Sequence, residues 1–318
     1  MKEPLIIIGV ILAVLTAAIL LISYICYRMT FRHAKRESDP RAPIKLAGYS
    51  EHKPRMDALI DLAMATPCEM ISITARDGAI LTARYYHVRD GAPLEIQVHG
   101  YKGHPMRDFC SGVNDSQRRG HNLILISQRS HAPSGGRCIT FGVKERYDCL
   151  DWIDYAVSRF GKDVKIVLIG ISMGAATVLM ASGLDIPDNV KLVVADCPFS
   201  SPKAIIKKVI KDMKLPAELA FPFVRLGGLI YGGFDVSSAS ATDAVRHSRI
   251  PTVIIHGEGD TFVPCYMSEE IYAASDKSIT KLMTFKNAEH GMSYFSDSER
   301  YLGEVESRMR ELLGEKKG

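Results

Sequence analysis

Apolar residues fall along this chain in three rhythms. Residues 5–27 form an unbroken run of 23 without a charge, LIIIGVILAVLTAAILLISYICY. At about 1.5 Å per residue a helix of that length reaches about 35 Å, enough to cross a hydrocarbon core of about 30 Å with some tilt. From residue 68 onward, short strand-type runs alternate with helical patterns. Residues 69–75 and 80–88 flank Arg76-Asp77-Gly78-Ala79, where Asp-Gly signals a hairpin. LEIQV (94–98), LILIS (123–127), VKIVLIGI (164–171), 190–195, 252–256 and 281–285 read as further strands. Helices are expected at 108–119 and at 144–160, where Tyr147, Leu150, Ile153, Val157 and Phe160 keep helical spacing. Small residues suggest another at 173–182. The last runs from about 297 to 313, with Ser296 and Glu299 as a capping box and Leu302, Val305, Met309 and Leu312/Leu313 as its buried stripe.

Continuous apolar strands separated by amphipathic helices imply an α/β fold: a mostly parallel sheet covered on both faces, with an antiparallel N-terminal edge from the hairpin. The third rhythm interrupts this alternation. Residues 200–240 begin basic (Lys203, Lys207, Lys208, Lys211, Lys214) and turn apolar (Leu215-Pro216, 219–224, 227–234). A small helical cap with an apolar underside is expected there, an ordinary crossover helix with a long loop being the plainer reading. An apolar cap favours an acyl chain or aromatic ester over a charged peptide.

Charge adds a direction. The net charge is +4, and residues 1–45 hold all of it, with seven basic and three acidic residues; the other 273 carry 33 of each sign. A neutral body argues against a nucleic-acid partner. Only Lys2 precedes the apolar run, whereas Arg28, Arg32, Lys35, Arg36, Arg41 and Lys45 follow it. The positive-inside rule therefore puts the body on the cytoplasmic side. The run ends in Tyr-Ile-Cys-Tyr-Arg without a small-residue cleavage site, so it reads as a retained single-pass anchor rather than a signal peptide. Tyr24 and Tyr27 would lie in the interfacial aromatic belt. The expected organisation is a short tail (1–4), the anchor (5–27), a basic connector (28–66) and the body (67–318). Within the connector, 56–65 has helical character before Thr66-Pro67. The seven cysteines are widely and irregularly spaced with no C-x-x-C pair, so reduced, mostly buried thiols are expected. The sequence is silent on oligomeric state.

In an open α/β sheet, ligands bind at the carboxyl ends of the strands. After the 164–171 strand stands Gly170-Ile171-Ser172-Met173-Gly174, a G-x-S-x-G turn leading into a helix. There a serine sits on a sharp turn, and flanking glycines keep neighbouring atoms clear. A serine hydroxyl needs a base to take its proton. His290, just past the 281–285 strand, is chosen over His256, in or at the end of a strand, and His247, in a surface helix. Asp260, in His256-Gly257-Glu258-Gly259-Asp260-Thr261-Phe262-Val263-Pro264, is the carboxylate to orient it; Glu258 and Asp196 are the rivals, Asp196 being read as bonding loop amides beneath the site. The order Ser172, Asp260, His290 is that of a nucleophile-elbow hydrolase. For the oxyanion, the Met173 N–H at the helix start and the Tyr101 N–H in His99-Gly100-Tyr101-Lys102-Gly103 are expected donors, with His99 bracing that loop.

These four markers (His99-Gly100, G-I-S-M-G, H-G-E-G-D-T-F-V-P and His290-Gly291) resemble the α/β-hydrolase superfamily over about residues 67–315. More narrowly, the chain resembles single-pass, membrane-anchored bacterial hydrolases of esterase-like or serine-aminopeptidase-like type. The resemblance implies a catalytic Ser172, Asp260 and His290 and no metal or organic cofactor. Two departures stand out: His-Gly-Tyr in place of a glycine-rich His-Gly-Gly-Gly, and Ser130-His131-Ala132-Pro133-Ser134-Gly135-Gly136 after the fourth strand. The leading expectation is a membrane-tethered, carboxylesterase- or lipase-like enzyme acting on a small-molecule ester or acyl substrate. A serine peptidase or thioesterase using the same residues, and a non-catalytic module of the same fold, are the alternatives.

Overall fold

The computed structural model describes residues 2–32, 39–42 and 48–315. Among the described residues two helices precede the sheet: α1 (Lys2–Thr30) and α2 (Tyr49–Ala65). The order then runs β1 (Glu69–Thr74), β2 (Ile80–Tyr86), β3 (Leu94–Val98), α3 (Pro105–Asp108), α4 (Gly112–Arg119), β4 (Asn122–Ser127), α5 (Glu145–Phe160), β5 (Ile166–Ile171), α6 (Met173–Ser182) and β6 (Val190–Asp196). It continues with α7 (Pro202–Asp212), α8 (Ala217–Gly227) and a π-type turn (Gly228–Gly232). The chain ends with α9 (Ala241–Ala244), β7 (Thr252–Gly257), α10 (Tyr266–Ala274), β8 (Thr280–Phe285), α11 (Ser293–Ser296) and α12 (Ser298–Leu313).

The eight strands form one sheet in the order β1-β2-β4-β3-β5-β6-β7-β8. β1 with β2 and β2 with β4 are antiparallel; the other pairs are parallel. This is the expected antiparallel edge on a parallel sheet. Strand pleating sends alternate residues to opposite faces, so a continuous apolar strand feeds two cores. Leu168, Val193 and Ile254 pack on one face with Trp152 of α5 and Val178 of α6. Val167, Val194 and Val253 pack on the other with Val113 of α4 and Met309 of α12.

Some local details differ from the sequence reading. In the 108–119 segment the helix starts only at Gly112 (α4), after a separate short helix, α3, has ended at Asp108. Of the α5 stripe Ile153 is buried and Leu150, Val157 and Phe160 are partly buried against the core; Cys149, Trp152 and Ala156 complete the buried face, with Glu145 and Asp148 buried beside it as hydrogen-bond acceptors. Asp148 takes Arg129 Nε at 2.6 Å, and Glu145 takes the Thr140 N–H at 2.7 Å. α12 is capped by Asp297, which accepts from the Arg300 N–H, rather than by Ser296. Tyr301, not Leu302, starts its buried stripe. Among the described residues every cysteine is free, and Cys110, Cys138, Cys149 and Cys197 are buried.

By length and composition α1 can cross a membrane. Its C-terminal end is built into the body. Phe31, fully buried, meets Phe141 and Phe234 edge-on at 5.9 and 5.0 Å, and its carbonyl accepts from the Ile139 N–H at 2.8 Å. Tyr27 is also buried, and Tyr24, still exposed, packs one edge on Tyr231 at 5.1 Å. α2 begins at Tyr49, seven residues before the helical character legible in the sequence. It packs Tyr49, Met56 and Ile60 against Cys110 and Met292 of the body. Of the basic flank, Lys35, Arg36 and Lys45 lie outside the described residues, and Arg41 Nε donates to Asp61 of α2 at 2.9 Å.

Candidate active site

Ser172 stands between β5 and α6 with φ 55° and ψ −116°, a left-handed conformation that lifts its side chain out of the chain path. The turn closes only because its flanking residues lack a Cβ. A Cβ on Gly170 would stand 2.3 Å from the Gly174 carbonyl oxygen, and one on Gly174 would stand 1.8 Å from that of Val98. The Ser172 N–H donates to the Asp196 carbonyl at 2.8 Å, which ties the turn to the end of β6.

Three loops bring the sequence-predicted groups together. His290 Nε2 lies 2.9 Å from Ser172 Oγ, and its Nδ1 lies 2.6 Å from Asp260 Oδ2. All three residues are buried. Asp260 Oδ1 accepts from the Phe262 and Val263 N–H groups at 2.9 and 2.8 Å, so its loop wraps the carboxylate. Burial alone would raise the Asp260 carboxyl, but hydrogen bonds from His256 and His290 hold it down at about 2. With Asp260 ionised, His290 Nδ1 is set as donor and Nε2 is left to accept from Ser172 Oγ. The arrangement can move a proton off the serine.

His256 is a supporting residue rather than a base. Its Nε2 lies 2.7 Å from the Val263 carbonyl and 3.3 Å from Asp260 Oδ2, and its Nδ1 lies 2.6 Å from Ser268 Oγ. Glu258 is exposed and accepts from Thr284 Oγ1. His247 is exposed, in a turn beyond α9. Asp196 is buried, but its partner is the Tyr301 hydroxyl rather than loop amides, and burial pushes its carboxyl up to about 6.

Met173 is the first residue of α6, whose leading N–H groups have no intrahelical partner. Tyr101 follows Gly100, whose N–H donates to Asp108 Oδ2 at 2.8 Å. His99 holds this loop to the end of β4: its Nδ1 meets the Gly100 carbonyl at 2.9 Å and its Nε2 accepts from the Gln128 N–H at 3.0 Å. The 130–136 segment lies against β2 instead of the serine, with the Gly135 N–H donating to the Ile80 carbonyl at 2.6 Å.

Ser172 lies at the junction of two cavities of about 240 Å³ each. The first is apolar, lined by Ile206, Val209 and Met213 of α7 and its C-terminal turn together with Met29 and Thr30 from the end of α1. The second is more polar, with Lys102, Arg107 and Asp108 beside His290. Phe262 borders both, its ring 5.2 Å from that of His290. The sequence reading did not single out Met29, Thr30, Tyr49 or Phe262. Phe262 sits inside the quoted acid-loop motif, whereas nothing local marks the others. Among the described residues, Cys197, Asp260 and His290 bring ligand-type atoms within 4.8 Å of one another, a set that could hold a metal ion. The facing Asp260 and His290 atoms are already bonded to each other, and burial holds the Cys197 thiol well above its ordinary value, against a thiolate ligand.

A family model described as the α/β hydrolase fold matches residues 96–220. The uncharacterized protein YqkD of Bacillus subtilis is 25% identical over 183 residues, 57% of this chain and 60% of that protein, so the chain spans less than two thirds of its length. The uncharacterized protein YfhR of Escherichia coli K12 is 26% identical over 240 residues, 72% of this chain and 75% of that one. Among solved structures, the esterase Pf2001 of Pyrococcus furiosus superposes with a TM-score of 0.63 at 22% identity, covering 79% of this chain and 93% of that one. The chain has the α/β-hydrolase fold.

Proposed function

We propose that this protein is a membrane-tethered serine hydrolase that cleaves carboxylic esters. The observation that carries the reading is the continuous line from Asp260 through His290 to Ser172, 2.6 Å and then 2.9 Å, ending at the mouth of an apolar cavity. Ser172 Oγ bonds to the acyl carbon as His290 Nε2 takes its proton. The tetrahedral oxyanion is met by the Met173 and Tyr101 N–H groups, each such donor being worth about 10²–10³ in kcat. The acyl C–O bond then breaks, and His290 returns the proton to the leaving alkoxide. Water, deprotonated by His290, attacks the acyl-serine, releases the carboxylic acid and restores the Ser172 hydroxyl.

The apolar cavity suits an acyl chain and the Lys102/Arg107/Asp108 side suits a polar leaving group. A basic pair there offers little attraction to a peptide ammonium, which ranks the peptidase reading lower; a thioester would react through the same atoms. Burial of Tyr27 and Phe31 in the body supports retention of α1 as an anchor, and Arg28 and Arg32 on its C-terminal flank favour a cytoplasmic body. Hydrolysis of p-nitrophenyl esters of graded chain length tests the proposal. Turnover that rises beyond acetate and vanishes in Ser172→Ala is expected; equal turnover by Ser172→Ala would refute it.

A further inference from the structure

The cap segment grips the apolar helix at a depth that has a consequence for where substrate comes from. The uncharged run of α1 ends at Tyr27. Several contacts of α8 and the π-type turn with α1 lie inside that run. Gly227 packs so closely on Ser23 that a Cβ would stand 2.4 Å from the Ser23 carbonyl oxygen. The Tyr231 hydroxyl donates to the Leu20 carbonyl at 3.0 Å, and its ring meets Tyr24 at 5.1 Å and Tyr27 at 5.8 Å. Leu20 lies seven residues before Tyr27, about 10 Å further along the helix axis. α1 cannot slide relative to the body, because Phe31 is locked between Phe141 and Phe234. If the apolar run of α1 occupies the bilayer, the cap segment beside Leu20 occupies it too.

The surface of that segment fits such a place. Leu219, Leu229 and Ile230 are 70%, 44% and 49% exposed. The two charges on α8 are paired: Arg225 meets Asp235 through two hydrogen bonds of 2.9 and 2.6 Å, and Glu218 meets Lys207. An exposed apolar face buried about 5–10 Å into the headgroup–acyl boundary is the usual arrangement of an interfacial helix. The cavity on Ser172 shares α1 with that segment as a wall. Met213, half exposed, stands at its rim, and Met29 and Thr30 of α1 form part of its wall. The Tyr101 hydroxyl donates to the Thr30 carbonyl at 2.7 Å, so the oxyanion loop itself rests on the end of the anchor.

We propose that α8 and the π-type turn insert into the bilayer beside α1, and that the substrate is a membrane-resident long-chain ester whose acyl chain passes from the leaflet directly into the cavity. The substrate half rests on the hydrolase reading above; the insertion half does not. The hydrolysis is the ordinary one, with water added across the ester to give a fatty acid and an alcohol. The acid's chain remains continuous with the leaflet, so product leaves by the same route.

Two measurements on the full-length protein in phosphatidylcholine–phosphatidylglycerol vesicles decide it. In the first, lipids brominated at the upper acyl carbons quench tryptophan fluorescence. The native Trp152 is fully buried in the body and serves as the unquenched reference. Leu229→Trp should add emission that the brominated lipid quenches strongly; an unquenched added indole overturns the insertion. In the second, the triple variant Leu219→Asp, Leu229→Asp, Ile230→Asp should lose about tenfold or more in turnover of a long-chain monoacyl ester carried in the vesicles, because the face that holds the portal in the leaflet has become polar. Its turnover of soluble p-nitrophenyl acetate should match the wild type. Equal loss on both substrates, or no loss on either, overturns delivery from the membrane. A wild type that hydrolyses neither ester overturns the substrate half together with the hydrolase reading, while quenching still decides the insertion.

Discussion

Asp260→Asn preserves the shape of the side chain and removes its charge. In the wild type the carboxylate faces donors on both sides: the Phe262 and Val263 N–H groups at 2.9 and 2.8 Å on Oδ1, and His290 Nδ1 at 2.6 Å with His256 Nε2 at 3.3 Å on Oδ2. An asparagine has one oxygen for these two sides. If it keeps the oxygen on the loop amides, its NH₂ points at His290 Nδ1, which must then accept. The imidazole proton moves to Nε2, where it faces Ser172 and cannot receive the serine proton. The expected loss is about 10⁴ in kcat, or about 5 kcal/mol of transition-state stabilisation. If the amide turns over instead, its NH₂ meets two N–H donors, and the unsatisfied groups cost about 1–3 kcal/mol of fold stability. The variant also loses a pH term. A carboxyl held at about 2 against 3.8 when free stabilises the fold by about 2 kcal/mol above pH 4, a contribution lost as pH falls toward 2. Steady-state kinetics on a short p-nitrophenyl ester, with thermal melts at pH 3 and pH 7, reads both effects. A variant within tenfold of wild-type kcat, or one altered only in KM, would refute the assignment of Asp260 as the group that sets the His290 tautomer.

Gly174→Ala forces a Cβ to within 1.8 Å of the Val98 carbonyl oxygen, backbone against backbone; it should cost several kcal/mol or abolish soluble expression, as circular-dichroism melts will report. Val209→Trp, placed in the wall of the apolar cavity, should cut kcat/KM for octanoyl esters about tenfold or more while acetyl esters change much less, shortening the preferred chain. Asp196 is held near 6 by burial, so its neutral form stabilises the fold at low pH and ionisation costs stability as pH rises through 6. Asp196→Asn should therefore melt increasingly above the wild type between pH 4 and pH 7, and a constant difference over that range would contradict the assignment.

The sheet was legible because its strands are continuous apolar runs, and such runs signal two-faced burial whatever surrounds them. The serine turn was legible because Gly170 and Gly174 are required by contacts as short as 2.3 and 1.8 Å, which only glycine tolerates. Asp260 and His290 followed from strand order. What escaped was tertiary. Periodicity picked out Tyr147, Leu150, Ile153, Val157 and Phe160 on α5 but not the buried Glu145 and Asp148, whose burial Thr140 and Arg129, close in space, make favourable. Tyr27 is buried by Tyr231, more than 200 residues away, together with Phe31, a contact that the local pattern does not carry. Met29 and Thr30 belong to the cavity through the fixed depth of α1, which no local pattern encodes.

The central claim is that Ser172 is the nucleophile, activated by His290. A fluorophosphonate probe tests it most directly, because it reports covalent attack without needing the right ester. Incubated with the full-length protein and digested, it should give a single phosphonylated peptide carrying Ser172. Labelling should disappear in Ser172→Ala and fall sharply in His290→Ala. A wild type that takes up no probe, or a Ser172→Ala protein labelled as strongly as the wild type, would contradict the account.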